Sequence, residues 1–141
     1  MRILGLDIGD RRIGVAISDP SQTIAQGIGQ ISWDESHRDK ALEEIKEFIF
    51  KYRVVKVVVG LPRNMEGEEG FQARKVRDFL DFFSSKIKLP VALVDERFST
   101  VMAERILREQ GASLSERKKA KDKIAAAIIL QDYLDSQRSK G

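Results

Sequence analysis

Ile3-Leu4-Gly5-Leu6-Asp7-Ile8-Gly9-Asp10-Arg11-Arg12-Ile13-Gly14-Val15-Ala16-Ile17-Ser18 reads as two strands joined by a short polar turn. Aliphatic and β-branched side chains fill 2–8 and again 13–18, and Gly9-Asp10-Arg11-Arg12 between them carries no apolar side chain. Asp19-Pro20-Ser21 is the next turn signal, and a third strand candidate covers about 23–32. The chain therefore opens as an antiparallel meander.

Helical spacing follows. Leu42, Ile45, Ile49 and Tyr52 share one face of a helix over about 36–52. Val54-Val55-Lys56-Val57-Val58-Val59, closed by Gly60, suits a buried parallel strand. Val76, Phe79, Leu80, Phe83 and Ile87 mark a second amphipathic helix, and Val91-Ala92-Leu93-Val94 a fifth strand. Ser99 or Thr100 can cap a helix that Gly111 closes, Ser113-Leu114-Ser115-Glu116 has the form of a capping box, and a last helix is predicted over 122–137. Its inward face is Ala126, Ile129, Leu130 and Tyr133. The order βββ-α-β-α-β-α-α, with right-handed crossovers, is solved economically by an α/β fold: a five-stranded mixed sheet, a meander then βαβαβ, flanked by helices. The aromatic pairs Phe79/Phe83 and Phe48/Tyr52 read as core.

A length of 141 residues suits a single domain, taken here as 1–138 with a disordered tail at 139–141. Charged residues make up 33% against an ordinary value of roughly 25%, and no run approaches the roughly 20 apolar residues of a membrane span. Asp7 interrupts the N-terminal apolar run too early for a signal peptide, which points to the cytoplasm and to no membrane partner. With no cysteine, disulfides, thiolate metal sites and cysteine nucleophiles are excluded. The single histidine, His37, sits in a polar stretch and no G-x-S-x-G elbow is present, so a serine triad is not supported. Carboxylates, hydroxyls and basic groups are left for chemistry. The net charge of +3 does not by itself announce nucleic-acid binding; placement matters more.

Three acids stand out. Asp7 near the end of an apolar strand is costly unless it is paired or holds a metal, although it also suits a strand-ending carboxylate that satisfies the following turn. Asp95-Glu96 follows the fifth strand; adjacent residues in extended chain point to opposite sides, and spacing alone does not choose between them. Asp122 lies within Arg117-Lys118-Lys119-Ala120-Lys121-Asp122-Lys123 and equally suits a helix-start carboxylate favoured by the dipole. Taken together they change the reading. Sites in α/β sheets gather beyond the carboxyl ends of parallel strands, and clustered carboxylates need cations. Oxygen-only ligands suit Mg²⁺ or Mn²⁺, and two such ions about 3.5–4 Å apart clamp a phosphodiester.

Leu4-Gly5-Leu6-Asp7-Ile8-Gly9 with Arg12-Ile13-Gly14-Val15-Ala16, Gly60-Leu61-Pro62 with Asn64 and Gly67, Asp95-Glu96-Arg97-Phe98-Ser99-Thr100, and Asp122 before Ala125-Ala126-Ala127 resemble the YqgF/RuvX family. Those are pre-16S rRNA nucleases related to Holliday junction resolvases. The resemblance spans nearly the whole chain, with every block in family order. It implies a ribonuclease-H-like fold and Asp7, Glu96 and Asp122 as the catalytic, metal-binding acids. It also implies metal-dependent cleavage of structured nucleic acid, with processing of the 5′ end of pre-16S rRNA as the expected role. Two positions depart from the family pattern. Asp10 stands where relatives usually have threonine, adding negative charge near the proposed metals. Ala120 stands where many have glycine.

The nucleic-acid-binding candidates are Arg11, Arg12, Arg63, Asn64, Arg74, Arg97, Lys118, Lys119, Lys121 and Lys123; Arg74 and Arg97 suit ordinary ion pairs as well, the loop 60–67 a long surface turn, and the basic run 117–123 a solvated face. Contacts of this kind hold phosphates and give salt-dependent affinity with little sequence choice. Pre-ribosomal RNA is the favoured partner and branched DNA the second, for a monomer or homodimer. Three other readings compete: a Holliday junction resolvase, a non-catalytic RNA-binding assembly module, and an ATP-binding protein that shares the Asp-x-Gly opening strand. The last would need a second such domain, for which the chain has no room.

Overall fold

The computed structural model describes residues 1–62, 68–95, 105–106, 108–111 and 113–140, without the side chains of 114, 117–119, 139 and 140. Glu96, Arg63, Asn64 and Arg97 lie outside the described residues, as do the side chains of Lys118 and Lys119. The strands are β1 (Arg2–Ile8), β2 (Arg12–Ser18), β3 (Ala25–Ser32), β4 (Val54–Leu61) and β5 (Val91–Asp95). The helices are a 3₁₀ turn (Glu35–His37), α1 (Arg38–Tyr52), α2 (Phe71–Lys86) and α3 (Leu114–Lys140). The sheet order is β3-β2-β1-β4-β5, with β2 antiparallel to both its neighbours and β1, β4 and β5 parallel. This is the expected meander followed by βαβαβ.

Alternation along the strands splits the interior into two layers. Leu4, Leu6 and Ile8 of β1, Ile13, Val15 and Ile17 of β2, and Val57, Val59 and Leu61 of β4 join Leu42 and Ile45 of α1 and Val76, Phe79 and Phe83 of α2. Each fully buried aliphatic side chain there contributes about 1.5–3 kcal/mol. On the opposite face Ile3, Ala16 and Val58 meet Ala126, Ile129, Leu130, Tyr133 and Leu134 of α3. The Phe79/Phe83 reading as core holds, and Phe48 and Tyr52 stack at 6.4 Å against the same layer.

Helix α3 lies directly on strand backbone. A Cβ on Gly5 would stand 2.8 Å from Leu130 Cβ, one on Gly14 2.0 Å from the Asp122 carbonyl oxygen, and one on Gly27 2.6 Å from that of Lys123. Three small positions on β1, β2 and β3 thus form a bed that any side chain would fill. Gln131 ties the helix to the sheet edge, accepting from Ala25 N at 2.8 Å and donating to Thr23 O at 2.9 Å.

Two expectations about the C-terminal region need correction. The final helix begins at Leu114, not 122, because the capping box is real: Glu116 N donates to Ser113 Oγ at 3.1 Å and Ser113 N to the Glu116 carboxylate at 3.4 Å. No glycine or proline interrupts the stretch from 114 to 140, so the helix propagates through residues 139 and 140, which the sequence reading had assigned to a disordered tail. Gly111, at φ +74°, closes the preceding helical turns with its N–H on Arg108 O at 3.1 Å, as its position suggested.

Candidate active site

The alternation that buries Leu4, Leu6 and Ile8 on one face places Ile3, Gly5 and Asp7 on the other, beneath α3. Asp7 is half-buried at the carboxyl end of the central strand, directly opposite Gly14 in the β1–β2 ladder. Cross-strand partners share a face, and the space a Gly14 side chain would need is taken by the backbone of Asp122. Asp122 lies one helical turn before Ala126, on the stripe that continues through Ile129, Leu130 and Tyr133. Its carboxylate is 20% exposed. Strand alternation, a missing side chain and helix periodicity therefore bring Asp7 and Asp122 to one corner of the molecule.

Asp122 is no helix-start carboxylate. It stands two turns inside α3, so the dipole reading fails and its position needs another explanation. Arg12 Nε lies 3.4 Å from Asp122 Oδ2, with the guanidinium half exposed. Arg12 thus belongs to the acid corner itself.

The pair Asp95-Glu96 resolves in part. Ala92 and Val94 pack on the α3 side of β5, whereas Asp95, the register partner of Leu61, follows the opposite alternation and is exposed. Asp95 is thereby set apart from the corner that holds Asp7 and Asp122. Among the described residues no three His, Cys, Asp or Glu side chains stand close enough together to hold a metal. Asp7 and Asp122 supply hard oxygen donors on a shared face, a donor set that fits Mg²⁺ or Mn²⁺ with further oxygens completing the shell.

The added charge of Asp10 is neutralised. Its carboxylate accepts from Lys75 Nζ of α2 at 3.1 Å, and Lys75 also sits over the Phe71 ring at 4.8 Å. In the same turn of α2 Gln72 Nε2 reaches Ile8 O at 3.5 Å. Neither contact was foreseen; the i, i+3 spacing of Gln72 and Lys75 on α2 is the only trace they leave in the sequence.

The turn that carries the basic pair is braced by Trp33. Its backbone N donates to Arg11 O at 2.9 Å, its indole Nε1 donates to Gly9 O at 2.9 Å, and Gly9 N closes the turn on Arg12 O at 2.9 Å. Phe79 meets the indole edge-on at 5.0 Å, which seats it on the core. Of the other basic candidates, Arg74 is exposed in the first turn of α2, Lys121 is half-buried and Lys123 exposed on either side of Asp122. His37 is exposed and held by Asp34 Oδ1 at 2.8 Å, as expected of a solvated residue near a helix start.

Among the described residues no helix is long and apolar enough to cross a membrane. The solved structure of Thermus thermophilus RuvC with a Holliday junction substrate superposes with a TM-score of 0.62 at 14% identity, covering 100% of this chain and 98% of that one. Fowlpox virus resolvase with Holliday junction DNA gives 0.57 at 16% identity over 97% and 99%. The fold is thus the ribonuclease-H-like fold of these resolvases. Closer in sequence are proteins named "Putative pre-16S rRNA nuclease". That of Caldanaerobacter subterraneus is 54% identical over 142 residues, with 99% of both chains covered. That of Thermoanaerobacter pseudethanolicus is 48% identical over 141 residues, with 99% and 100% covered. The RuvX family profile, described as Holliday junction resolvase, matches residues 1–136. A match of that extent, on a chain whose acids and small residues pack as described, makes this protein a member of the RuvX family.

Proposed function

We propose that the protein is a metal-dependent nuclease that hydrolyses phosphodiester bonds of structured RNA and processes the 5′ end of pre-16S rRNA in the cytoplasm. What supports this reading is that Asp7, at the carboxyl end of the central strand, pairs with Gly14, and that the Asp122 backbone lies on that same glycine. The relatives named for pre-16S rRNA favour RNA over branched DNA. Glu96 is the third acid of the proposed set, supported by the family pattern and by the exposed, opposite-facing position of Asp95.

In this reading Asp7, Glu96 and Asp122 hold Mg²⁺ or Mn²⁺ through carboxylate oxygens. When bound, a pair of such ions supplies a deprotonated water nucleophile at neutral pH and stabilises the leaving oxygen. The backbone of Asp7 is fixed by the β1–β2 ladder and that of Asp122 by the seating of α3 on Gly14, so neither backbone must be ordered during the reaction. Arg12 orients Asp122 and presents its exposed guanidinium to the strand. Arg11, Arg63, Asn64, Arg74, Arg97, Lys118, Lys119, Lys121 and Lys123 are assigned to the phosphate backbone, which they position without reading bases.

Asp7→Asn tests the site. It removes a charged donor and keeps the side-chain shape, so the fold survives by circular dichroism. Single-turnover cleavage of a pre-16S rRNA fragment with Mn²⁺ falls by about 10²–10³-fold or more. A four-way DNA junction serves as the comparison substrate. Cleavage by the purified variant at the wild-type rate would overturn the assignment.

A further inference from the structure

The acid corner does not stand alone on its surface. Beside it an open cleft of about 820 Å³ runs between the β1–β2 turn and the segment that joins β3 to α1. Its walls are Asp10, Arg11 and Arg12 on one side and Trp33, Asp34, His37 and Lys40 on the other. Arg12 belongs to both places, since it lines the cleft and reaches Asp122.

The charges of the cleft sort by partner. Asp10 is paired with Lys75, and Asp34 with His37. The Asp34 carboxyl is held below the usual carboxylate range by the Ser36 hydroxyl and by His37, so it stays an ionised, satisfied acid. Arg11 and Lys40 are exposed and, among the described residues, carry no ion pair. They face the cleft from opposite walls. Lys40 stands in the first turn of α1, where helix polarity also favours an anion. The walls are not free to drift apart: Trp33, tied to Arg11 O and to Gly9 O, locks one to the other.

The geometry points to this cleft as the seat of the phosphodiester backbone flanking the scissile bond, with Arg11 and Lys40 as its phosphate-holding groups and Trp33 as the residue that sets their separation. The inference rests on the nuclease reading for the identity of the strand and extends it to a direction: the nucleic acid leaves the acids past Arg12 and over α1's first turn. Neither Lys40 nor Trp33 is among the candidates that sequence reasoning picked out. An open, polar cleft flanked by exposed cations and joined to Asp122 through Arg12 suits a polyanion laid along it better than an enclosed small molecule.

The test is equilibrium binding of a fluorescently labelled pre-16S rRNA stem by anisotropy, from 50 to 300 mM KCl with EDTA present, for the full chain. Each lost phosphate contact lowers the slope of log K against log salt by about 0.7–0.9. Arg11→Gln with Lys40→Gln is expected to weaken binding about tenfold at 100 mM salt and to flatten the slope by about 1.4–1.8. Lys51→Gln with Lys86→Gln removes the same number of charges from the C-terminal ends of α1 and α2, at the opposite end of the parallel strands, and serves as the reference. If the cleft pair shifts affinity and slope no more than the reference pair, the inference is overturned. Asp7→Asn run in parallel separates the two ideas. If it still cuts RNA, the acid site fails while the cleft is judged by its own slope. If the wild type shows no binding at all, the cleft assignment falls, while the acid site is judged by cleavage with Mn²⁺.

Discussion

Gly14 is the residue on which the acid corner turns. The Asp122 carbonyl occupies the space a methyl group would need, at 2.0 Å, and backbone cannot rotate out of the way as a flexible side chain can. Gly14→Ala must therefore lift α3 off β2. The expected result is a loss of about 1–3 kcal/mol in chemical denaturation together with a drop in cleavage, because Asp122 is displaced from Asp7. Retained stability and retained cleavage would mean that the close approach is not needed. From the bare sequence Gly14 reads only as a glycine within a strand. What it accommodates comes from a helix more than a hundred residues later, and no local pattern announces that. The same holds for Asp10, whose charge looked like a liability until Lys75 was found against it.

At the scale of elements, much was legible. Apolar, β-branched runs bounded by turn residues predicted the five described strands, and period-3.6 spacing the faces of α1 and α2, because these signals are local to each element. The third strand starts slightly later than expected: Thr23 and Ile24 give their N–H groups to the Asp19 carboxylate at 2.8 and 3.0 Å, and so belong to the turn. Helix α3 was the hardest to read. Its first two turns carry no apolar stripe, and its packed half begins only at Asp122 and Ala125. Those first turns start at the Ser113 cap, and their sequence offers little apolar surface to bury. Ser113→Ala is expected to cost about 1 kcal/mol locally. In hydrogen exchange the amides of 114–121 should lose protection while those of 125–134 keep it. Uniform loss across the helix would show that the cap and the packed half unfold as one unit. The choice between Asp95 and Glu96 was half legible, since alternation sets Asp95 apart but needed the observed register to say on which face it falls.

At the scale of the whole molecule, acid stability follows from where carboxylates are hydrogen-bonded. The Asp19 carboxyl is held well below its ordinary 3.8, first by the Ile24 N–H, then by the Ser21 hydroxyl and the Thr23 N–H. Asp34 and Asp135 are lowered as well, the latter by Gln131 and then Arg138. A carboxyl whose folded value is depressed takes up its proton more readily when the chain unfolds. Its contribution is therefore whole above about pH 4 and is lost as pH falls toward the folded value. Urea midpoints should decline from pH 4 toward pH 2, and Asp19→Asn should show a shallower decline than the wild type. Parallel curves would remove Asp19 from the explanation.

The order of these parts along the chain has its own consequence. β1, which carries Asp7, is the middle strand, whereas the helix that seats Asp122 on neighbouring β2 lies at the other end of the element order. A chain folded only through its meander holds one of the three proposed acids, and its glycine bed has nothing to grip. A protein proposed to trim the ribosome's own RNA therefore has no complete site until β5 and α3 have joined the meander.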